Sequence, residues 1–317
     1  MLKRVPAVVT ILLTVVFCAV FYYFNNEVCF SHRKIANVAQ STRIFKEENK
    51  KYAFFIGVKK CGTTALKTFI GLHSEIHPIY PDPHACDTPF EPFNKRLMEA
   101  LTKKKYVFVA DNRCMLNNEA FERYQRPSKI IVLLCDPVRR AFSDFKHFMK
   151  KGYLPPNSSF TNVVQDALNF LKNTSKDAKM WENYMKNIRQ VAPFEYSIVS
   201  TGIYVMFMQE FYDRYDQQDI LILSGEELRN DPGSSLEKLQ TFLDVKQAIT
   251  NEMFFKNRQT GFYCIRLQQY PEVCKLPRKT NESTLSADKE SINNLKKFYK
   301  KYNKQLFNLT RREFKWL

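Results

Sequence analysis

A chain of 317 residues, 44% of them hydrophobic with 27 Phe and 16 Tyr, has material for one large core, which excludes a disordered or fibrous protein. Its 49 Lys and Arg against 32 Asp and Glu leave a formal charge of +17, the mark of an anionic partner. No homeodomain, zinc-finger or RNA-recognition signature accompanies that charge, so nucleic acid is not the expected partner and anionic lipid or an acidic polysaccharide remains.

In chain order, Lys3 and Arg4 precede an uncharged run from Ala7 to Phe24, "AVVTILLTVVFCAVFYYF". It approaches the roughly 20 residues that a membrane span needs. Positive charge before the run favours a cytoplasmic N-terminus and a luminal remainder. No small-x-small cleavage site follows its bulky Phe-Tyr-Tyr-Phe end, so a signal-anchor is expected rather than a cleaved leader. The expected organisation is a cytoplasmic tail (1–6), a transmembrane signal-anchor (7–24), a polar stem (25–50) and a luminal domain (51–317). Four Asn-x-Ser/Thr triplets, at Asn157, Asn173, Asn281 and Asn308, agree with passage through the secretory pathway. There the eight cysteines would meet an oxidising environment. Cys18 falls in the membrane run and stays free, while Cys264 and Cys274 flank a segment, "CIRLQQYPEVC", short enough to close as a hairpin-like loop. Pairing among Cys29, Cys61, Cys86, Cys114 and Cys135 cannot be read from spacing.

From Lys51 onward, short apolar runs alternate with amphipathic stretches. "YAFFIGV" (52–58), "YVFVA" (106–110), "KIIVLLC" (129–135) and "DILILS" (219–224) suit strands buried on both faces of a parallel sheet. Helical periods occupy Thr63–His73, Arg139–Lys150 and Ile203–Tyr215, and a further helix follows Asp231-Pro232. The expected fold class is therefore α/β: a P-loop-like, doubly wound parallel sheet flanked by helices and preceded by the N-terminal membrane helix. Near the end, Ile292, Leu295, Phe298, Tyr302 and Leu306 recur at helical spacing, with Ser286 as the expected N-cap. The lysines between them, Lys296, Lys297, Lys300, Lys301 and Lys304, fit a solvated helix face.

The segment "GVKKCGTT" (57–64) keeps the glycine spacing of a Walker A loop, G-x-x-x-x-G-K-[ST], but Thr63 stands where the lysine should be. A nucleoside triphosphate would lose its γ-phosphate clamp, which argues against a P-loop kinase. The loop still brings backbone amides to a helix N-terminus, good for a 5′-phosphate-like group, and Lys59 and Lys60 sit inside it to meet an anionic group attached to that phosphate. A second strand-turn-helix, "IIVLLCDPVRRAFSDF" (130–145), puts Arg139, Arg140 and Ser143 in the first turns of a helix, where an anion is stabilised. Two anion sites at neighbouring strand ends suggest a nucleotide phosphorylated at two places. The bland alternatives are an ordinary strand-helix turn and surface basic residues.

With "GVKKCGTTAL", "LCDPVRRAFSDF", the stretch from Gly202 to Leu243 and "GFYCIRLQQYPEVC", the chain resembles the Golgi heparan sulfate sulfotransferases of the 3-O- and N-sulfating group over roughly Lys51 to Leu317. The resemblance implies transfer of a sulfonyl group from 3′-phosphoadenosine 5′-phosphosulfate to a glucosaminyl residue of heparan sulfate, with the 3-hydroxyl favoured and no metal required. It implies a Golgi, single-pass type II protein and a disulfide joining Cys264 to Cys274. Lys60 would contact the 5′-phosphosulfate and the bridging oxygen as leaving-group charge develops. Lys59, Cys61, Gly62, Thr63 and Thr64 would complete the loop, Ser143 and Arg139 would hold the 3′-phosphate, and Arg278 and Lys279 would serve as further donors.

A sugar hydroxyl needs a base. The family's Glu-x-His-x-x-Asp pattern is matched by Asp82, His84 and Asp87, with the leading Glu one methylene shorter. A displacement of about 1 Å at a catalytic group can cost about 10²-fold. Other departures are Cys135 for the arginine before Asp-Pro, Asp111 for an acceptor-side lysine with Arg113 close by in sequence, and Asn281 for an arginine. They keep two alternatives in view: a heparan-sulfate-binding homologue with impaired catalysis, and an N-sulfating or other glycosaminoglycan sulfotransferase.

Overall fold

The apolar runs form a single twisted layer in the structure, a computed structural model that describes residues 51–80, 106–110, 128–186, 194–267, 270–274 and 287–316. Its strands are β1 (Lys51–Gly57), β2 (Ile76–Ile79), β3 (Tyr106–Ala110), β4 (Lys129–Leu134) and β5 (Ile220–Ser224). They lie in the order β2-β3-β1-β4-β5, and every neighbouring pair is parallel. Tyr52 to Ile56 and Tyr106 to Ala110 are buried throughout, on both faces, because helices cover each side. The four strands read from the sequence are all present. β2 was not among them, since four residues, "IHPI", containing Pro and His carry little strand signal.

The helices, in chain order, are α1 (Thr63–Ile70), α2 (Pro137–Lys150), α3 (Phe160–Thr174), α4 (Ala178–Lys186), α5 (Ser197–Ser200), α6 (Tyr204–Arg214), α7 (Gly225–Asn230), α8 (Pro232–Phe242) and α9 (Lys289–Thr310), among the described residues. α1 is shorter than its sequence pattern: Gly71 ends it, and the Gly71 amide donates back to the carbonyl of Lys67. α2 begins earlier than expected, because the Asp136 carboxylate accepts from the Val138 amide at 2.9 Å and Pro137 takes the first helical position. α9 is capped by Asp288, whose carboxylate accepts from the Ser291 amide at 2.7 Å and from the Thr161 hydroxyl at 2.8 Å. That corrects the expected cap at Ser286, which lies outside the described residues.

Beyond the main layer, β6 (Phe254–Lys256), β7 (Tyr263–Leu267) and β8 (Tyr270–Val273) make a small antiparallel sheet. The Cys264–Cys274 disulfide closes its β7–β8 hairpin, the pairing that the resemblance implied. Among the described residues no helix is long and apolar enough to cross a membrane. The expected anchor (7–24) and stem (25–50) lie outside the described residues.

Candidate functional site

Parallel pairing of β1 with β4 brings the two turns of interest side by side at the C-terminal edge of the sheet. In open parallel sheets this edge is where ligands bind. The first turn leaves β1 with the Val58 amide still donating to the Leu133 carbonyl at 2.9 Å. It then bends sharply: Lys60 has φ 74° and Gly62 φ 105°. Gly62 is exposed and holds the N-cap position of α1 without a side-chain cap, and no acidic residue occupies the first turn. The amides of Gly62, Thr63 and Thr64 therefore have no backbone acceptor among the described residues. These are the orphan donors from which an anion site is built. Thr63 is buried and Thr64 exposed.

The lysines of the loop divide. Lys59 Nζ pairs with the fully buried Asp144 carboxylate at 2.8 Å and lies 4.8 Å from the centre of the Phe148 ring. Lys60 is half-buried, and burial lowers its pKa; Asp144 opposes that shift, while Arg140, Lys146 and Lys150 add to it. A cation partly desolvated among like charges gains most when an anion arrives. His147 shares the environment: burial and then the Lys60 charge lower its pKa, with Lys59 and Lys151 acting the same way and Asp144 opposing.

The second turn differs from its sequence reading in one respect. The Asp136 carboxylate already takes the Val138 amide, so the N-terminus of α2 carries its own anion. Burial raises the Asp136 pKa, and the nearby Glu226 adds to it. An exogenous phosphate here would rely on side chains. Arg139, exposed, and Ser143, half-buried, stand four residues apart on one face of α2, with His147 four further on. Arg140, read as a first-turn anion ligand, is instead fully buried: it donates to Asp144 at 3.1 Å and to the Ile198 carbonyl. Its Nε and the Asp144 Oδ1 have no hydrogen-bond partner among the described residues.

Covalent and polar ties join the two turns. Cys61 and Cys135 form a disulfide, so the Cys61 thiol expected beside the ligand is consumed in a cross-link. Its amide is occupied too, donating to the Val58 carbonyl at 3.3 Å. The Tyr204 hydroxyl donates to the Cys135 carbonyl at 2.9 Å. Glu226 accepts from the Asp136 amide and from the Trp316 indole, each at 3.0 Å. Gly225 lets α7 approach: a Cβ there would stand 2.5 Å from the Cys61 carbonyl oxygen. Arg229, one turn along α7 from Glu226, feels Arg139; burial first, then that like charge, lower its pKa.

Sequence reasoning missed Tyr204, Gly225, Glu226, Arg229 and His147. One signal was present, since Ser224 and Glu227 have the spacing of a capping box and the Ser224 hydroxyl accepts from the Glu227 amide at 3.3 Å. The expected base group Asp82, His84 and Asp87, and Asp111, Arg113, Arg278, Lys279 and Asn281, lie outside the described residues. Asn157, Asn173 and Asn308 are exposed. No group of His, Cys, Asp and Glu suited to a metal occurs among the described residues.

Residues 50–306 match the sulfotransferase domain family. Against curated proteins the chain is 26% identical over 271 residues to heparan sulfate glucosamine 3-O-sulfotransferases 3B1 and 3A1 of Homo sapiens, covering 83% of this chain in each case. The match spans 64% and 62% of those relatives' own length, under two thirds. Among solved structures, a sulfotransferase from Alicyclobacillus acidocaldarius aligns with TM-score 0.57 at 17% identity, over 83% of this chain and 97% of that one, a likeness of fold.

Proposed function

Because this chain belongs to the sulfotransferase domain family, we propose that it transfers a sulfonyl group from 3′-phosphoadenosine 5′-phosphosulfate to a glucosaminyl residue of heparan sulfate, at the 3-hydroxyl. The observation that carries the donor half is the uncapped start of α1, where the amides of Gly62, Thr63 and Thr64 meet the half-buried Lys60. Those amides cradle the 5′-phosphate. Lys60 neutralises the charge that gathers on the bridging oxygen as the sulfur–oxygen bond breaks, and fixed donors of this kind are usually a large catalytic term. Arg139 and Ser143, with Arg229 beside them, receive the 3′-phosphate. The acceptor half rests on the similarity to 3-O-sulfotransferases and on the excess of basic residues, which suits an acidic polysaccharide. Asp82 takes the hydroxyl proton, supported by His84 and Asp87. On this reading residues 7–24 anchor the protein in the Golgi membrane and residues 51–317 face the lumen.

The test is transfer from ³⁵S-labelled donor to a panel of glycosaminoglycans, followed by disaccharide analysis of the product. Label at the glucosamine 3-hydroxyl is expected. Label on nitrogen would move the protein to the N-sulfating reading. Heparan sulfate binding without donor binding would establish the impaired homologue that Asp82 and Asp111 keep in view.

A further inference from the structure

We propose that the Cys61–Cys135 disulfide is a positioning device: it sets the distance between the two phosphate-binding turns, so that a nucleotide carrying phosphates at both ends is bound as one unit. The inference rests on the donor reading above and deepens it. The bond joins residue 61, inside the first turn, to residue 135, the first residue after β4 and one residue before the cap of α2. Both cysteines are buried, at 5% and 7% exposure. Each is also held from its other side. The Tyr204 hydroxyl grips the Cys135 carbonyl at 2.9 Å, and the Gly225 backbone closes on the Cys61 carbonyl and the Cys135 Cβ, leaving no room for a side chain.

The loop has reason to need this. Lys60 occupies the left-handed region at φ 74°, where a residue with a Cβ persists only when its surroundings dictate the conformation. The residue that follows it is the cross-linked one. On one side of the bond lie Lys60 and the free amides of Gly62, Thr63 and Thr64; on the other lie Arg139 and Ser143. A ligand that touches only one side gains little from a fixed spacing. A ligand that spans both gains the entropy that the cross-link has already removed, as any preorganised two-point site does.

That difference is the test, and it needs no catalysis. Calorimetry would compare the parent with the double variant Cys61→Ala/Cys135→Ala, using adenosine 3′,5′-bisphosphate and adenosine 5′-monophosphate as probes. The expected result is a rise of about tenfold in Kd for the bisphosphate, in the range of coupling between residues of one network, with a change of about twofold or less for the monophosphate. Equal losses for both probes would make the bond a general structural staple and overturn the proposal, as would no loss at all. If the alanine pair does not fold, Cys61→Ala/Cys135→Val refills the space of the sulfurs and is measured in the same way. Failure of both variants to fold would also count against positioning. A parent that bound neither probe would instead defeat the donor reading itself.

Discussion

Lysine is a costly residue to hold at φ 74°, and Lys60 stands there with its ammonium half-buried among Arg140, Lys146 and Lys150. The left-handed region costs a residue with a Cβ roughly 1–2 kcal/mol. A position chosen for stability would be glycine, so Lys60→Gly separates stability from activity. The variant is expected to gain about 1 kcal/mol in denaturant unfolding. It is also expected to lose at least about 10²-fold in sulfonyl transfer, the usual cost of removing a donor to developing charge. Parallel losses in both measurements would mean that Lys60 is structural. Behind it, Asp144 is the buried carboxylate that holds both Arg140 and Lys59. Asp144→Asn would strand the Arg140 charge in the interior, an expected cost of about 3–5 kcal/mol that thermal or urea unfolding would register. His147 adds a pH signature. Its pKa is lowered in the fold, so below the ordinary histidine value of about 6.5 the unfolded chain binds the extra proton and stability falls with pH. His147→Gln should flatten that acid limb. A bound anionic nucleotide beside Lys60 should raise the His147 pKa, giving proton uptake on binding in calorimetry at pH 6.

At the scale of elements, what the sequence disclosed depended on how many buried positions an element repeats. β1 and β3, apolar from Tyr52 to Ile56 and from Tyr106 to Ala110, were plain, as was α9, where Leu295, Tyr302 and Leu306 of the expected stripe are buried, Ile292 and Phe298 are half-buried, and Tyr299 is buried in addition. α4 buries only Tyr184 and Met185, and α7 has six residues, too few to show a period. Of these two, α7 nonetheless helps hold the site together, supplying Gly225, Glu226 and Arg229. Their roles arise from tertiary approach, which no local pattern encodes. The disulfide is the sharpest case, since residues 61 and 135 are 74 apart in sequence and meet only because β1 pairs with β4. The start of α9 offers a quantitative check at this scale. Asp288 is held down to about 2, first by the Ser291 amide and then by the Thr161 hydroxyl. Its capping contribution is whole above the ordinary aspartate value and is lost as pH falls through about 2. Asp288→Ala should cost about 1 kcal/mol at neutral pH, measured by urea unfolding, and little at pH 2.

For the molecule as a whole, the excess of 17 positive charges has to be reconciled with a donor site that needs only a handful of them. The loop and α2 account for Lys59, Lys60, Arg139 and a few neighbours, while Lys296, Lys297, Lys300, Lys301 and Lys304 are exposed along α9 and form no ion pair among the described residues. Charge spread over a surface acts on a long polyanion more than on a small nucleotide, and it acts through solvent, where the screening length is about 10 Å at 0.1 M salt. Partly buried groups such as Lys60 are screened less. On the proposed function, the two substrates should therefore respond differently to salt. Raising sodium chloride from 50 to 200 mM should increase KM for the polysaccharide by about tenfold or more, as release of condensed counterions does for other polyanions. KM for the nucleotide donor, if amides and a half-buried lysine clasp it as proposed, should rise by a smaller factor. Steady-state kinetics with each substrate varied in turn would read both numbers. Equal salt dependence would mean that the basic surface does not meet the glycan, and would move the search for its partner to the anionic membrane surface.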